Sequence, residues 1–225
     1  MRIGVCIPVI SRHLPLLTTC LESLERQTRK PDVVSIRVSE AEAQPTLPPC
    51  SFPIVLQHTP ERSYAGANRN GAAYVIQDQV DLLSFIDADD FMHPRCLEQI
   101  ERHFRQDIEV LVHGFLDCKN APDRGLYEAR ALNRIHWTPI GGPIQSTLLT
   151  DGFSTAKDAY QPIHRLLRLD GQVFHNAHIT CRTPVWTAER WPEEFGLIED
   201  SVYNYRLYTR GYKYGFTADR LSYYM

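Results

Sequence analysis

The apolar positions of this chain fall into short unbroken runs and helical spacings, and the two alternate. Ile3-Gly4-Val5-Cys6-Ile7 is a continuous run that stops at Pro8, the pattern of a strand buried on both faces. Leu14, Leu17, Leu21 and Leu24 then recur at helical spacing, with Pro15 early, where a missing N–H costs little. Lys30-Pro31-Asp32 ends that helix, and Val33 to Ser39 reads as a second strand. This order predicts a parallel strand pair joined by a right-handed crossover.

Pro45, Pro48, Pro49 and Pro53 mark residues 40–53 as a loop. A short third strand is expected over Phe52–Gln57, a loop over His58–Tyr64 and a small-residue helix over Ala67–Gln77. Leu82–Ile86 is the fourth strand. Pro94 opens a helix with Leu97, Ile100 and Phe104 on one face, and Val110-Leu111-Val112 is the fifth strand. Lys119 to Gly152 shows no period and reads as irregular. Beyond it, His175–Arg182 reads as a strand, Asp200–Thr209 as a helix closed by Gly211, and Tyr212–Thr217 as a late strand. The expectation is an α/β fold in one domain spanning 1–225, with a central, mostly parallel sheet flanked by helices. A Rossmann-like half (about 1–117) would take a common ligand and an aromatic, irregular half (about 118–225) a variable one.

The fourth strand ends in Asp87-Ala88-Asp89-Asp90. Buried carboxylates without partners are costly, so such a cluster must meet water, cations or a metal. In an open α/β sheet the carboxyl ends of the strands are where ligands bind. If the tip is extended, Asp87 and Asp89 point to the same side and can share a divalent ion and a ribose. Oxygen ligands of this kind suit Mn²⁺ or Mg²⁺. Asp90 reads as a cap for the helix that follows.

Composition narrows the field modestly. A net charge of −3 gives no reason to expect nucleic acid as a partner. The six cysteines form no C-x-x-C pair, and the Ile3–Ile10 run is too short for a signal peptide or membrane span. Free thiols, no transmembrane segment and a cytoplasmic location are therefore expected.

Four stretches in order resemble glycosyltransferase family 2: Ile7-Pro8-Val9-Ile10-Ser11-Arg12, Gly66-Ala67-Asn68-Arg69-Asn70-Gly71, Phe85-Ile86-Asp87-Ala88-Asp89-Asp90, and Glu199-Asp200. The resemblance implies a GT-A fold and an inverting, metal-assisted transfer of a sugar from a nucleotide-diphosphate-sugar to a hydroxyl acceptor. It implies a UDP-, GDP- or dTDP-sugar as donor and a saccharide or glycoconjugate as acceptor. It assigns Asp89 to the metal, Asp87 to metal or ribose, and Ala88 to the donor contact between them. Asp200 takes the role of general base, with Glu199 the lesser candidate. Pro8, Val9, Ser11 and Arg12 would line the nucleotide site, though Arg12 could instead meet a neighbouring acid. Arg69, at a helix start, reads as a phosphate ligand or as an ion-paired structural arginine.

The chain departs from the family at Ser39-Glu40, where paired aspartates usually recognise the base; Glu40 can accept a similar hydrogen bond. No late histidine suggests itself as a further metal ligand. His175 and His178, with His164, would need a helix or bend to share zinc, so they read as acceptor contacts or core hydrogen-bonders. Trp137, Trp186, Trp191, Tyr127 and Tyr160 read as core or sugar-stacking aromatics, and Gly141-Gly142-Pro143 as a turn or lid. A sugar-phosphate nucleotidyltransferase is the rival enzyme class, but residues 8–13 lack its glycine-rich loop. A non-catalytic nucleotide- or sugar-binding module is the other alternative.

Overall fold

The computed structural model describes residues 1–118, 174–196 and 199–225. Its first strand, β1 (Ile3–Ile10), is buried along almost its whole length, which explains the unbroken apolar run. Ile3, Val5, Ile7 and Val9 face one core cluster, while Cys6 faces a second cluster across the sheet. Gly4 sits where the second face is tightest, since a Cβ there would lie 2.6 Å from Ile76 Cδ1. A 3₁₀ turn (Ser11–His13) leads into α1 (Leu14–Glu25), which has Pro15 in its first turn and buries Leu17, Cys20, Leu21 and Leu24.

The strands β2 (Val33–Ser39), β3 (Ile54–His58) and β4 (Leu82–Phe85) extend β1 as a parallel sheet. Between them runs α2 (Ala65–Tyr74), whose small residues pack against β1 and β2. After the acidic tip come the two-residue β5 (Phe91–Met92), then α3 (Cys96–His103) and β6 (Val110–Asp117). The remaining elements are β7 (Phe174–Arg182), α4 (Thr183–Ala188), α5 (Glu199–Thr209) and β8 (Tyr214–Tyr224). Among the described residues the sheet order is β3-β2-β1-β4-β7-β6-β8-β5, and β7 runs antiparallel to both β4 and β6. Strands from beyond residue 117 thus sit inside the same sheet as the βαβ-rich first half.

Several expectations need correction. Pro94 precedes α3 by two residues rather than opening it. β6 runs on from Val112 to Asp117, and β8 from Thr217 to Tyr224. β8 continues because β5 pairs with its far end, Phe91 opposite Tyr223, with their rings stacked at 4.4 Å. Gly211 closes α5 as expected, at φ +82°, which favours glycine. Trp186 and Trp191 are buried core residues. The expectations for residues 119–152, Trp137, Tyr127, Tyr160, His164 and the Gly141-Gly142-Pro143 turn lie outside the described residues, as does the side chain of His175.

Candidate active site

A cavity of about 860 Å³ opens at the carboxyl ends of β1, β2 and β4. The ends of β1 and β2 are tied together from α2: Asn68 Nδ2 donates to Val9 O at 3.3 Å and to Ser39 Oγ at 2.9 Å. Pro8, Val9, Arg12, Glu40, Arg69, Asp87, Ala88, Asp89 and Glu199, all expected at the site, line this cavity; Ser11 and Asp200 lie outside its lining. The sequence did not point to His13, Arg62, Ser63, Tyr64 or Tyr224, which also line it. They come from loops and from the end of β8, where no spacing rule marks a side chain as cavity-facing.

The acidic tip is not extended. β4 stops at Phe85, and the N–H of Asp90 donates to Asp87 O at 3.1 Å, closing a turn. A turn brings its first and fourth residues together, so Asp87 meets Asp90 and the expected alternation of Asp87 and Asp89 does not apply. Asp90 is no helix cap: it is 1% exposed, accepts the N–H of Met225 at 2.9 Å and has Oδ2 2.8 Å from His178 Nε2. Asp89 turns to the cavity wall, 3.9 Å from His13 Nδ1. Burial first and the charge of Asp87 next raise its pKa, against the pull of its backbone, His13 and Arg12.

One ligand atom each from Asp87, Asp90 and His178 lies within 4.8 Å of the others, a group that could hold a metal ion and to which β7 brings a histidine the sequence did not assign. Two carboxylates and an imidazole are a donor set suited to Mn²⁺. Neighbouring ligands of an octahedral ion with bonds of about 2.1 Å sit about 3 Å apart, close to the Asp90–His178 spacing. His178 Nδ1 meets Ser222 Oγ at 2.7 Å, which orients Nε2 toward Asp90. Burial, with Arg69 adding to it and Asp87 opposing it, lowers the His178 pKa to about 4, leaving the neutral imidazole that a metal requires.

Arg69 joins the two acidic ends of the chain. Its side chain is 2% exposed; Nη2 donates to Asp87 Oδ1 at 2.6 Å and Nη1 to Glu199 Oε1 at 2.5 Å. The guanidinium lies over Trp191, 4.6 Å from the ring centre. Burial works to lower its pKa, but Asp87 and Glu199, with Asp200 behind them, raise it above the ordinary arginine value. Of the two readings of Arg69, the structure displays the ion-paired one. Asp200, at the head of α5, accepts the Ser201 N–H at 2.6 Å. Burial, then the charge of Glu199, pushes its pKa up to about 6 despite Arg69.

At the base end, Glu40 has a left-handed φ of 61°, rare for a residue with a Cβ. Its N–H donates to Glu61 O at 3.2 Å and its carboxylate lies 3.6 Å from Arg62 Nε. Strain of this kind persists where surrounding contacts impose it, often at ligand sites.

Residues 4–165 match the profile described as glycosyl transferase family 2. No curated protein matches the chain. Among solved structures, TarS residues 1–349 of S. aureus in complex with UDP align at TM-score 0.65 and 14% identity, covering 99% of this chain and 60% of that one. The same fragment in complex with UDP-GlcNAc aligns at TM-score 0.66 and 14% identity, over 99% and 58%. A longer S. aureus TarS structure aligns at TM-score 0.67 and 14% identity, over 100% and 37%. These likenesses show the GT-A fold, and the chain spans at most about 60% of those TarS chains.

Proposed function

The chain belongs to glycosyl transferase family 2, and we propose that it moves a sugar, with inversion, from a nucleotide-sugar to a hydroxyl acceptor in this cavity. The observation that carries this reading is the Arg69 fork, which brings the donor-side Asp87 and the acceptor-side Glu199 to one cavity wall. Family membership favours sugar transfer over nucleotidyl transfer.

UDP is the leading donor nucleotide, since S. aureus TarS has been crystallised with UDP and UDP-GlcNAc. Pro8, Val9 and Arg12 flank the nucleotide, and Glu40 accepts a hydrogen bond from the base. Arg12 has a further part to play, because a cation at the cavity wall draws in the diphosphate. Asp87, Asp90 and His178 would hold Mn²⁺ or Mg²⁺, with Asp89 a further carboxylate at the same tip. A bound divalent ion neutralises the diphosphate and the charge that builds on it as the sugar departs.

Glu199 is engaged by Arg69, which leaves Asp200 to take the proton of the acceptor hydroxyl. That oxygen bonds to the anomeric carbon as the bond to the nucleoside diphosphate breaks, the electron pair leaving on the phosphate oxygen. Attack from the face opposite the leaving group inverts the anomeric centre. A base with pKa about 6 is ionised at neutral pH yet retains basicity for the transfer. Thermal shift with UDP, GDP and dTDP, each with and without Mn²⁺, tests the donor site. Saturation at a hundred times Kd stabilises by about 2.7 kcal/mol, and no metal-dependent shift with any of the three refutes the assignment.

A further inference from the structure

Asn70 lies on α2 beside Arg69 and is buried, yet it lines no part of the cavity. Its amide is fully used on α4 and on the segment that leads from it to α5. Nδ2 donates to Trp191 O and to Glu193 Oε1, both at 2.8 Å. Oδ1 accepts the Trp191 N–H at 3.0 Å and Trp186 Nε1–H at 3.2 Å. An amide has two donors and two acceptor sites, and here all four are spent on two tryptophans and one acid.

The contact around this amide is close. A Cβ on Gly66, one turn earlier, would lie 2.2 Å from Pro192 O, so the helix backbone and the segment touch directly. Trp191 is then held between the Arg69 guanidinium and Tyr203 of α5, stacked at 4.2 Å. Asn70 therefore fixes the backbone of Trp191, Trp191 braces α5, and α5 begins with Glu199 and Asp200.

We propose that Asn70 is a positioning residue: three of its hydrogen bonds hold Trp191 and Glu193, the fourth ties them to Trp186 of α4, and through Trp191 they set the head of α5, which carries Glu199 at the cavity wall and Asp200 next to it. This deepens the function proposed above and rests on Asp200 being the base. A side-chain amide is uniquely suited, because only it offers paired donors and acceptors at one backbone unit. Aspartate has the same shape without the donors and would set a second anion against Glu193.

The test is Asn70→Asp in the full chain, read by hydrogen exchange and by UDP release from UDP-GlcNAc with water as acceptor and Mn²⁺ present. Exchange over 189–204 should rise at least tenfold while β1 and β2 keep their protection. UDP release should fall at least tenfold, with the Kd for UDP within threefold of the parent. Unchanged exchange over 189–204 overturns the proposal, as does a loss of turnover matched by an equal loss of UDP affinity or of folded protein. If Asn70→Asp does not fold, Glu193→Ala at an exposed residue removes one of the four bonds. It should raise exchange over 190–196 about threefold, and no rise overturns the proposal. Asp200→Asn run alongside separates the two ideas: if it keeps full turnover, the assignment of the base fails while the exchange result still judges the clasp.

Discussion

Replacing Arg69 with methionine keeps much of the volume and removes the only charge that faces both Asp87 and Glu199 in the described ion pairs. The side chain is 2% exposed and Glu199 is itself buried, so Glu199 loses its guanidinium where water cannot replace it, while solvent in the cavity partly compensates Asp87. Breaking a buried pair from one side costs about 3–5 kcal/mol, and losing the stack on Trp191 adds about 0.5–2 kcal/mol. Methionine packing offsets part of this, so the expected loss is about 4 kcal/mol, a large share of the about 5–15 kcal/mol that holds a typical domain. With a urea slope of about 2 kcal/mol/M, the unfolding midpoint should fall by about 2 M. The loss should also depend on pH. Without the guanidinium, Asp200, already raised by burial and by Glu199, loses the opposing pull of Arg69, so its folded pKa rises further and the variant binds extra protons when folded. Its stability is then fullest below the unfolded carboxylate range and is lost as pH rises through the raised value. The variant should stand closer to the parent at pH 5 than at pH 8. A loss under about 1 kcal/mol, or one equal at both pH values, would refute the buried-fork account.

The other predictions concern the site and the backbone. Asp200→Asn should keep UDP binding and lose transfer, while the parent's turnover rises with pH through about 6 as Asp200 ionises. Because that pKa is raised in the fold, the parent's stability from Asp200 is present below the unfolded value and lost as pH passes about 6. The asparagine variant should therefore be the more stable protein at pH 8, by up to about 3 kcal/mol in urea unfolding. His178→Ala should weaken Mn²⁺ binding at least tenfold in calorimetric titration, and equal affinity would remove His178 from the ion. Glu40→Gly relieves a left-handed backbone yet should weaken UDP binding, a split that stability and affinity measured together would reveal. Gly66→Ala should lower stability by about 1–3 kcal/mol, since its Cβ meets the Pro192 carbonyl and backbone gives way poorly.

Strands β1, β2 and β4 were legible because parallel strands buried on both faces leave nearly continuous apolar runs. Two-residue β5 is too short for any period, and six-residue α4 (Thr183–Ala188) is marked only by Pro184 in its first turn. The site was half legible. Motifs at element ends, such as Pro8-Val9 and Asp87-Ala88-Asp89 by strands and Glu199 at the head of α5, could be read because local order places them. The pairing of Asp90 with His178 could not, because it arises where β7 enters the sheet beside β4, far along the chain. The assumption of an extended tip concealed it further, since only the turn at Asp87–Asp90 sets Asp90 inward. Arg69 illustrates the limit of type alone: α2 begins at Ala65, which sets Arg69 a full turn inside the helix, and its partners come from two distant segments.

The most direct test is proton NMR of the sugar that leaves an α-linked UDP-sugar, followed from the first turnovers with Mg²⁺ present. The account predicts that the product appears first as the β anomer, that chelation abolishes the signal, and that Asp200→Asn abolishes it too. Release of the α anomer first, or turnover that persists at full rate without metal or without Asp200, would contradict it.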